Sequence, residues 1–163
     1  MDISYDDLNW YWFKGNEMPS RLLQDLCLYR SHVICDFGTR KNFGHLGKNF
    51  GDMQYADFES YHIVLCRKDE ILGSVRVTPG FVETVAAATL GEADYMKLIA
   101  RLGTSLNKVL EINRLLIDYR VRRLNLGRIL MYAAIGLIEN VYDRKEMTII
   151  GSAGNCTKRI ESN

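Results

Sequence analysis

Only two prolines and three histidines occur in this chain of 163 residues, and its 21 lysines and arginines almost cancel 20 aspartates and glutamates. Each shortage excludes a class of protein. A near-neutral chain has no global field to draw in nucleic acid or an anionic membrane, so any basic partner site must be local. Cys27, Cys35, Cys66 and Cys156 form no C-x-x-C pair and have no histidine cluster beside them. That pattern argues against a metal site and for reduced thiols in a cytoplasmic protein, with no permanently bound cofactor expected. No apolar run approaches the ~18 residues of a membrane span, and the start MDISYDDLNWYWF is acidic where a secretory leader would be basic. Membrane insertion and export are not expected. Repeats and Pro/Ser-rich linkers are also missing, so residues 1–163 read as one domain.

What is present is a pattern of alternating elements. Leu22, Leu23, Leu26, Cys27, Arg30, Val33 and Ile34 recur at helical spacing, which predicts a helix over 19–34 capped by Ser20. Residues 36–60, rich in glycine and scattered aromatics, have neither helical nor strand period and read as a long loop. The β-branched runs at 61–67 and 71–78, separated by Lys68-Asp69-Glu70, predict a hairpin. Further strands are expected at 109–118 and 147–152, with a helix between them on the apolar stripe Leu126 to Val141. Residues 81–106 read as partly helical, broken at Gly91 and Gly103. The order implies a mixed α/β sheet flanked by helices, with a helix and loop over 20–60 and the sheet with its main helix over 61–155.

The segment VLEINRLLIDYRVRRLNLGRIL, residues 109–130, carries the chemistry. An apolar strand passes through a basic turn into a helix, where unpaired N–H groups and the helix dipole favour an anion. Gly127 permits close approach of a ligand, and Arg120, Arg122, Arg123 and Arg128 concentrate positive charge. A solvated arginine-rich turn gives the same pattern. Arg122-Arg123-Leu124-Asn125-Leu126-Gly127 resembles the cofactor loop Q/R-x-x-G-x-G/A of the GNAT superfamily, with Asn125 in place of a glycine. Glu111-Ile-Asn-Arg114 resembles the E-x-x-R of acyl-homoserine-lactone synthases and N-acyl amino acid synthases, and Gly73-Ser-Val-Arg76-Val-Thr-Pro79 resembles their G-x-x-R-L-x-P strand end.

The resemblance implies a fold, an activity and a set of roles. The activity is transfer of an acyl group from acyl-CoA, or from the phosphopantetheine of acyl carrier protein, to a small amine such as an amino acid. Residues 122–128 would hold the phosphate end of the donor, and a splayed strand at Leu115 to Ile117 would pair with its pantetheine arm. Glu111, or Asp57, is the expected acid/base group, because an arriving ammonium must lose a proton before it attacks a thioester. Arg30 lies inside an apolar stripe and either snorkels or joins an ion-pair network with Asp52, Asp57 or Glu111. Arg76 and Arg114 are expected in the same network or against the acceptor.

Two other functions fit the same residues: acetyl transfer from acetyl-CoA, and non-catalytic binding of an acyl thioester. The apolar insert 81–106 suits an acyl tunnel, though ordinary core packing suits it nearly as well. Three-residue spacing puts Glu111 and Arg114 on opposite faces of a regular strand, so action as a unit demands a bulge between 111 and 117. The GNAT fold normally continues past the last strand found here. An open edge, covered by a further segment or by an oligomeric partner, is therefore expected.

Overall fold

In the computed structural model, which describes residues 5–35 and 51–151, five strands form one sheet in the order of the chain. β1 (Asn9–Lys14), β2 (Tyr61–Arg67), β3 (Glu70–Pro79) and β4 (Val109–Ile117) pair antiparallel in succession, and β5 (Thr148–Gly151) lies parallel to β4. The helices are α1 (Ser20–Cys35), α2 (Ala56–Glu59), α3 (Val85–Leu90), α4 (Glu92–Arg101) and α5 (Leu126–Val141). Gly91 at φ 80° separates α3 from α4, and Gly103 at φ 64° ends the insert, both in the left-handed range that glycine enters freely. Most of the expected loop, residues 36–50, and everything after Gly151 lie outside the described residues. β1 is absent from the reading of the sequence, although its NWYWF run has the aromatic composition of a strand.

Alternation decides which side of the sheet each residue serves. Ile63, Val75, Val77, Leu110 and Ile112 point to one face and bury Leu130, Ala134, Leu137 and Ile138 of α5 against them. On the other face Val64 and Cys66 meet Leu23, Leu26 and Cys27 of α1. That second face is apolar only at one end. Towards the other end it carries His62, Arg76, Thr78, Glu111 and Asn113, all of them buried.

One irregularity shapes the sheet. Ser74 opposes Leu116 but Arg76 opposes Asn113, so Arg114 and Leu115 together face Val75. This is a β-bulge, and Arg114 occupies it at φ 51°, a conformation costly for an arginine. The break that the E-x-x-R spacing demands is therefore in the strand, at Arg114 itself.

Close backbone packing fixes α2 in place. A Cβ on Gly15 would lie 1.8 Å from the Asp57 carbonyl oxygen, and Gly15 N–H donates to the Ser60 carbonyl at 2.9 Å. Neither backbone can yield without moving α2. Gly15→Ala is expected to destabilise the fold by about 1–3 kcal/mol, the usual cost of overpacking, read as a lower urea midpoint at unchanged slope.

Candidate active site

The buried polar face is organised around Asp57. Its carboxylate is fully enclosed and accepts from Arg30 Nη1 and Nη2, each at 2.7 Å, from Arg76 Nη1 at 2.7 Å, and from Gln54 N–H at 2.8 Å. Burial alone would raise its pKa; the two guanidinium groups prevail and hold it well below the ordinary carboxylate range. Arg76 Nε donates to Asn113 Oδ1 at 2.7 Å, and Asn113 Nδ2 donates in turn to Glu111 Oε2 at 2.8 Å and Thr78 Oγ1 at 3.0 Å. Asp52, at the rim, pairs with Arg114 Nη2 at 3.2 Å and lies 3.6 Å from Arg30 Nε. Arg30, Asp52, Asp57, Arg76 and Arg114 thus meet in one ion-pair cluster, and Glu111 joins it only through Asn113.

Glu111 has another job. Its Oε2 accepts from Val85 N–H at 2.8 Å and its Oε1 from Ala86 N–H at 2.9 Å, while Thr84 Oγ1 caps Ala87 N–H at 3.0 Å. The carboxylate, with no exposed surface, ties the first turn of α3 to β4. An acid/base group must reach the proton it takes, and here both oxygens are committed to amides in the interior. Asp57 is committed more firmly still, between two arginines. Both carboxylates expected as acid/base groups are thus held in buried hydrogen bonds, Glu111 by the first amides of α3 and Asp57 by Arg30 and Arg76.

His62 is a cluster member that sequence reasoning missed, as are Ser60, Thr78 and Asn113. Their signal was alternation, since 62, 76, 78, 111 and 113 share one face of the sheet. The His62 ring donates from Nε2 to the Asp57 carbonyl at 2.8 Å, because a carbonyl oxygen can only accept. Burial pushes its pKa down to about 4 and keeps it neutral. Beside the cluster, a cavity of about 390 Å³ is lined by Gln54, Ala56, Thr84, Val85, Ala88 and Thr89, with Glu83 and Arg114 as its charged residues. Arg114 is the one cation of the cluster that faces this space.

The other half of the site is the edge of β4. β5 pairs with β4 only from Val109 to Ile112; beyond that point no described strand flanks this side. Asp118 N–H donates to the Leu72 carbonyl at 2.9 Å, so alternation turns the Ile117 N–H and C=O to the open edge. The Ile117 carbonyl there accepts from Arg122 Nε at 3.4 Å, and the Leu115 side chain is exposed. The strand then enters a 3-10 turn, Tyr119–Leu124, and α5 begins after Asn125, whose φ of 57° and ψ of 20° supply the left-handed step that a glycine usually makes.

Arginines of the turn divide in two. Arg120 is neutralised by Asp118 at 2.8 Å and Glu70 at 2.6 Å, so it adds no free charge. Arg122 and Arg128 are exposed, and Arg128 lies 5.5 Å over the Tyr132 ring. The Arg123 side chain lies outside what the structure describes. The Leu124 and Leu126 side chains pack into a core cluster with Leu65, Leu72 and Val121, so neither side chain faces outward as part of the turn's charged surface. An added Cβ at Gly127 would make only ordinary contact with Ile117, so nothing inside the protein requires glycine there.

No protein-family model matches the sequence, and no curated protein matches it. Solved structures do. An acyl-CoA N-acyltransferase from Pseudomonas aeruginosa superposes with a TM-score of 0.55 at 17% identity, over 83% of this chain and 73% of its own. ElaA of Escherichia coli gives 0.54 at 15%, over 83% and 72%, and the AHL synthase LasI gives 0.53 at 11%, over 88% and 71%. The chain has the GNAT fold. The splay of β4 from β5, the bulge and the turn into α5 thus sit within an architecture shared with these acyltransferases, and identities this low show the fold alone.

The buried histidine gives this protein a pH dependence whose sign is fixed. Unfolded, His62 binds a proton below about 6.5; folded, it stays neutral down to about 4, so the unfolded state holds more protons between those values. Stability should therefore be complete above pH 6.5 and fall by about 3 kcal/mol as the pH drops to 4. Protonation of Asp57, whose folded pKa is lowered, removes more below its ordinary value of 3.8. Urea unfolding across pH 4 to 7 should show this slope in the native protein and a flatter one in His62→Gln.

Proposed function

We propose that this protein is an N-acyltransferase that takes an acyl group from a phosphopantetheine thioester, on CoA or on acyl carrier protein, and transfers it to a small amine. The observation that carries the reading is the β4 edge. It opens after Ile112, presents the Ile117 N–H beside an Ile117 C=O that accepts from Arg122 Nε, and runs directly into the arginine turn at the start of α5. A pantetheine arm needs amide partners along its length and a cationic end for its phosphate, and these lie here in the right order. Arg122, Arg128 and the first amides of α5, at Leu126 and Gly127, take the phosphate; Ile117 and Leu115 take the arm. The exposed arginines also suit an acidic carrier protein.

The amine enters beside Arg114, in the cavity bounded by Gln54, Thr84 and Thr89. Its nitrogen attacks the thioester carbonyl, a main-chain N–H of the splayed strand stabilises the tetrahedral oxyanion, and collapse breaks the C–S bond; the new amide nitrogen gives up a proton to solvent and the departing thiolate takes one up, so the products are amide and thiol. With Asp57 and Glu111 locked in structural bonds, the amine loses its proton to solvent before attack. Arg30, Asp52 and Arg76 act by holding Arg114 and α2 in register with the strand.

One observation favours acetyl over a longer acyl group. Ala86, Ala87 and Leu98 of the insert pack on Tyr95, Ile99 and Val109, so these side chains fill a core rather than line a tunnel, while Phe81, Leu90 and Met96 of the same insert are exposed. Burial of Glu111 likewise supports thioester binding without catalysis. Thiol release, followed with acyl-CoA and acyl-carrier-protein donors of graded length against a panel of amines, separates all three. Turnover with product detected by mass spectrometry supports the enzyme, its length preference selects the donor, and tight donor binding without thiol release identifies a binding module.

Two further outcomes are expected. Arg122→Glu combined with Arg128→Glu should weaken donor binding by about tenfold or more, with the gap narrowing as salt rises. In kcat/KM profiles the ascending limb should follow the pKa of the acceptor amine. A limb fixed near pH 4 to 5 whatever the amine would restore a carboxylate base.

A further inference from the structure

β1 is an edge strand without the usual defences of one. It spans Asn9–Lys14 with no proline and a single charge, at its end, and Trp10, Tyr11 and Trp12 are 40%, 49% and 60% exposed. Gly15 N–H donates to Ser60, so residues 9, 11 and 13 turn their main-chain groups to β2, and Trp10, Trp12 and Lys14 turn theirs outward. No described strand meets them. Trp10 and Trp12 lie opposite Leu65 and Ile63, hence on the α5 face, and Trp12 contacts Tyr61 at 6.2 Å between ring centroids.

We propose that this edge pairs antiparallel with β1 of a second copy of the chain and joins two five-stranded sheets into one. The occupant follows from self-complementarity. A two-fold axis normal to the sheet sets residues of equal parity opposite each other. With Trp10 against Trp12 of the second copy and Tyr11 against Tyr11, all four outward N–H and C=O groups of each tryptophan pair are matched. Charge fits the same register: exposed Asp7 precedes the strand and Lys14 ends it, so antiparallel pairing brings each Lys14 beside Asp7 of the other copy. The exposed parts of Trp10, Tyr11 and Trp12 on two copies sum to roughly 600 Å². That is below the ~1,200 Å² of a standard interface, so the dimer is a weak one.

Sedimentation equilibrium of the full chain at roughly 1 to 200 µM, without donor or acceptor, tests this independently of the proposed activity. The native protein should pass from monomer to dimer within that range. Trp12→Pro removes an outward N–H that an edge strand does not need, and Trp12→Lys places a charge at the seam; both should remain monomeric with native far-UV circular dichroism. Lys14→Asp should weaken the dimer at least several-fold, and adding Asp7→Lys should restore it. A native protein that stays monomeric throughout, or a dimer indifferent to both Trp12 variants, overturns the proposal.

Discussion

The bidentate pair between Arg30 and Asp57, shared by Arg76, is the contact on which the polar half of this molecule depends. Three elements distant in sequence, α1, α2 and β3, each place one of these side chains in the interior, and none could stay there alone. An isolated buried charge costs several kcal/mol, whereas two guanidinium groups and a main-chain amide leave the Asp57 carboxylate fully satisfied. The cluster therefore works as a register device. It forms only when α1, the short α2 and the hairpin are mutually aligned, and Gly15 lets the backbone of α2 come close enough for that.

From this fixed point the arrangement extends to β4. Arg76 holds Asn113, Asn113 holds Glu111, and Glu111 holds the first turn of α3. After Asn113 the ladder with β3 is interrupted by the bulge and resumes at Leu116, while the ladder with β5 has already stopped at Ile112. Arg114 takes up the strained bulge, reaches back to Asp52, and faces the cavity. A buried, hydrogen-bonded polar interior thus stands next to a segment of β4 that no described strand flanks on its β5 side.

Local pattern in the sequence was enough for the helices at 20–35 and 126–141, the hairpin, and the strands after residue 109, because periodicity reports which face is buried. The E-x-x-R resemblance, if it meant one site, called for an irregularity somewhere in 111–117, and the bulge at Arg114 falls within that range. The positive φ at Asn125 followed from residue type, asparagine being tolerant of that conformation. β1 escaped notice because six aromatic-rich residues near a chain end have too little context to show a period.

What the sequence could not decide was the partner of each charge. Glu111 and Asp57 look alike as candidate bases when only residue type and order are known. Tertiary structure assigns one to helix amides and the other to two arginines, because hydrogen-bond partners are fixed by three-dimensional proximity and not by separation along the chain. The same holds for Arg120, which sequence counts with the phosphate-binding cations and which folding neutralises against Glu70, 50 residues away. Composition and periodicity determined the layers of this protein; only the packed fold determined which charges pair in its interior, as Arg30, Arg76 and Arg114 do, and which, at Arg122 and Arg128, stay exposed, because pairing depends on proximity in space.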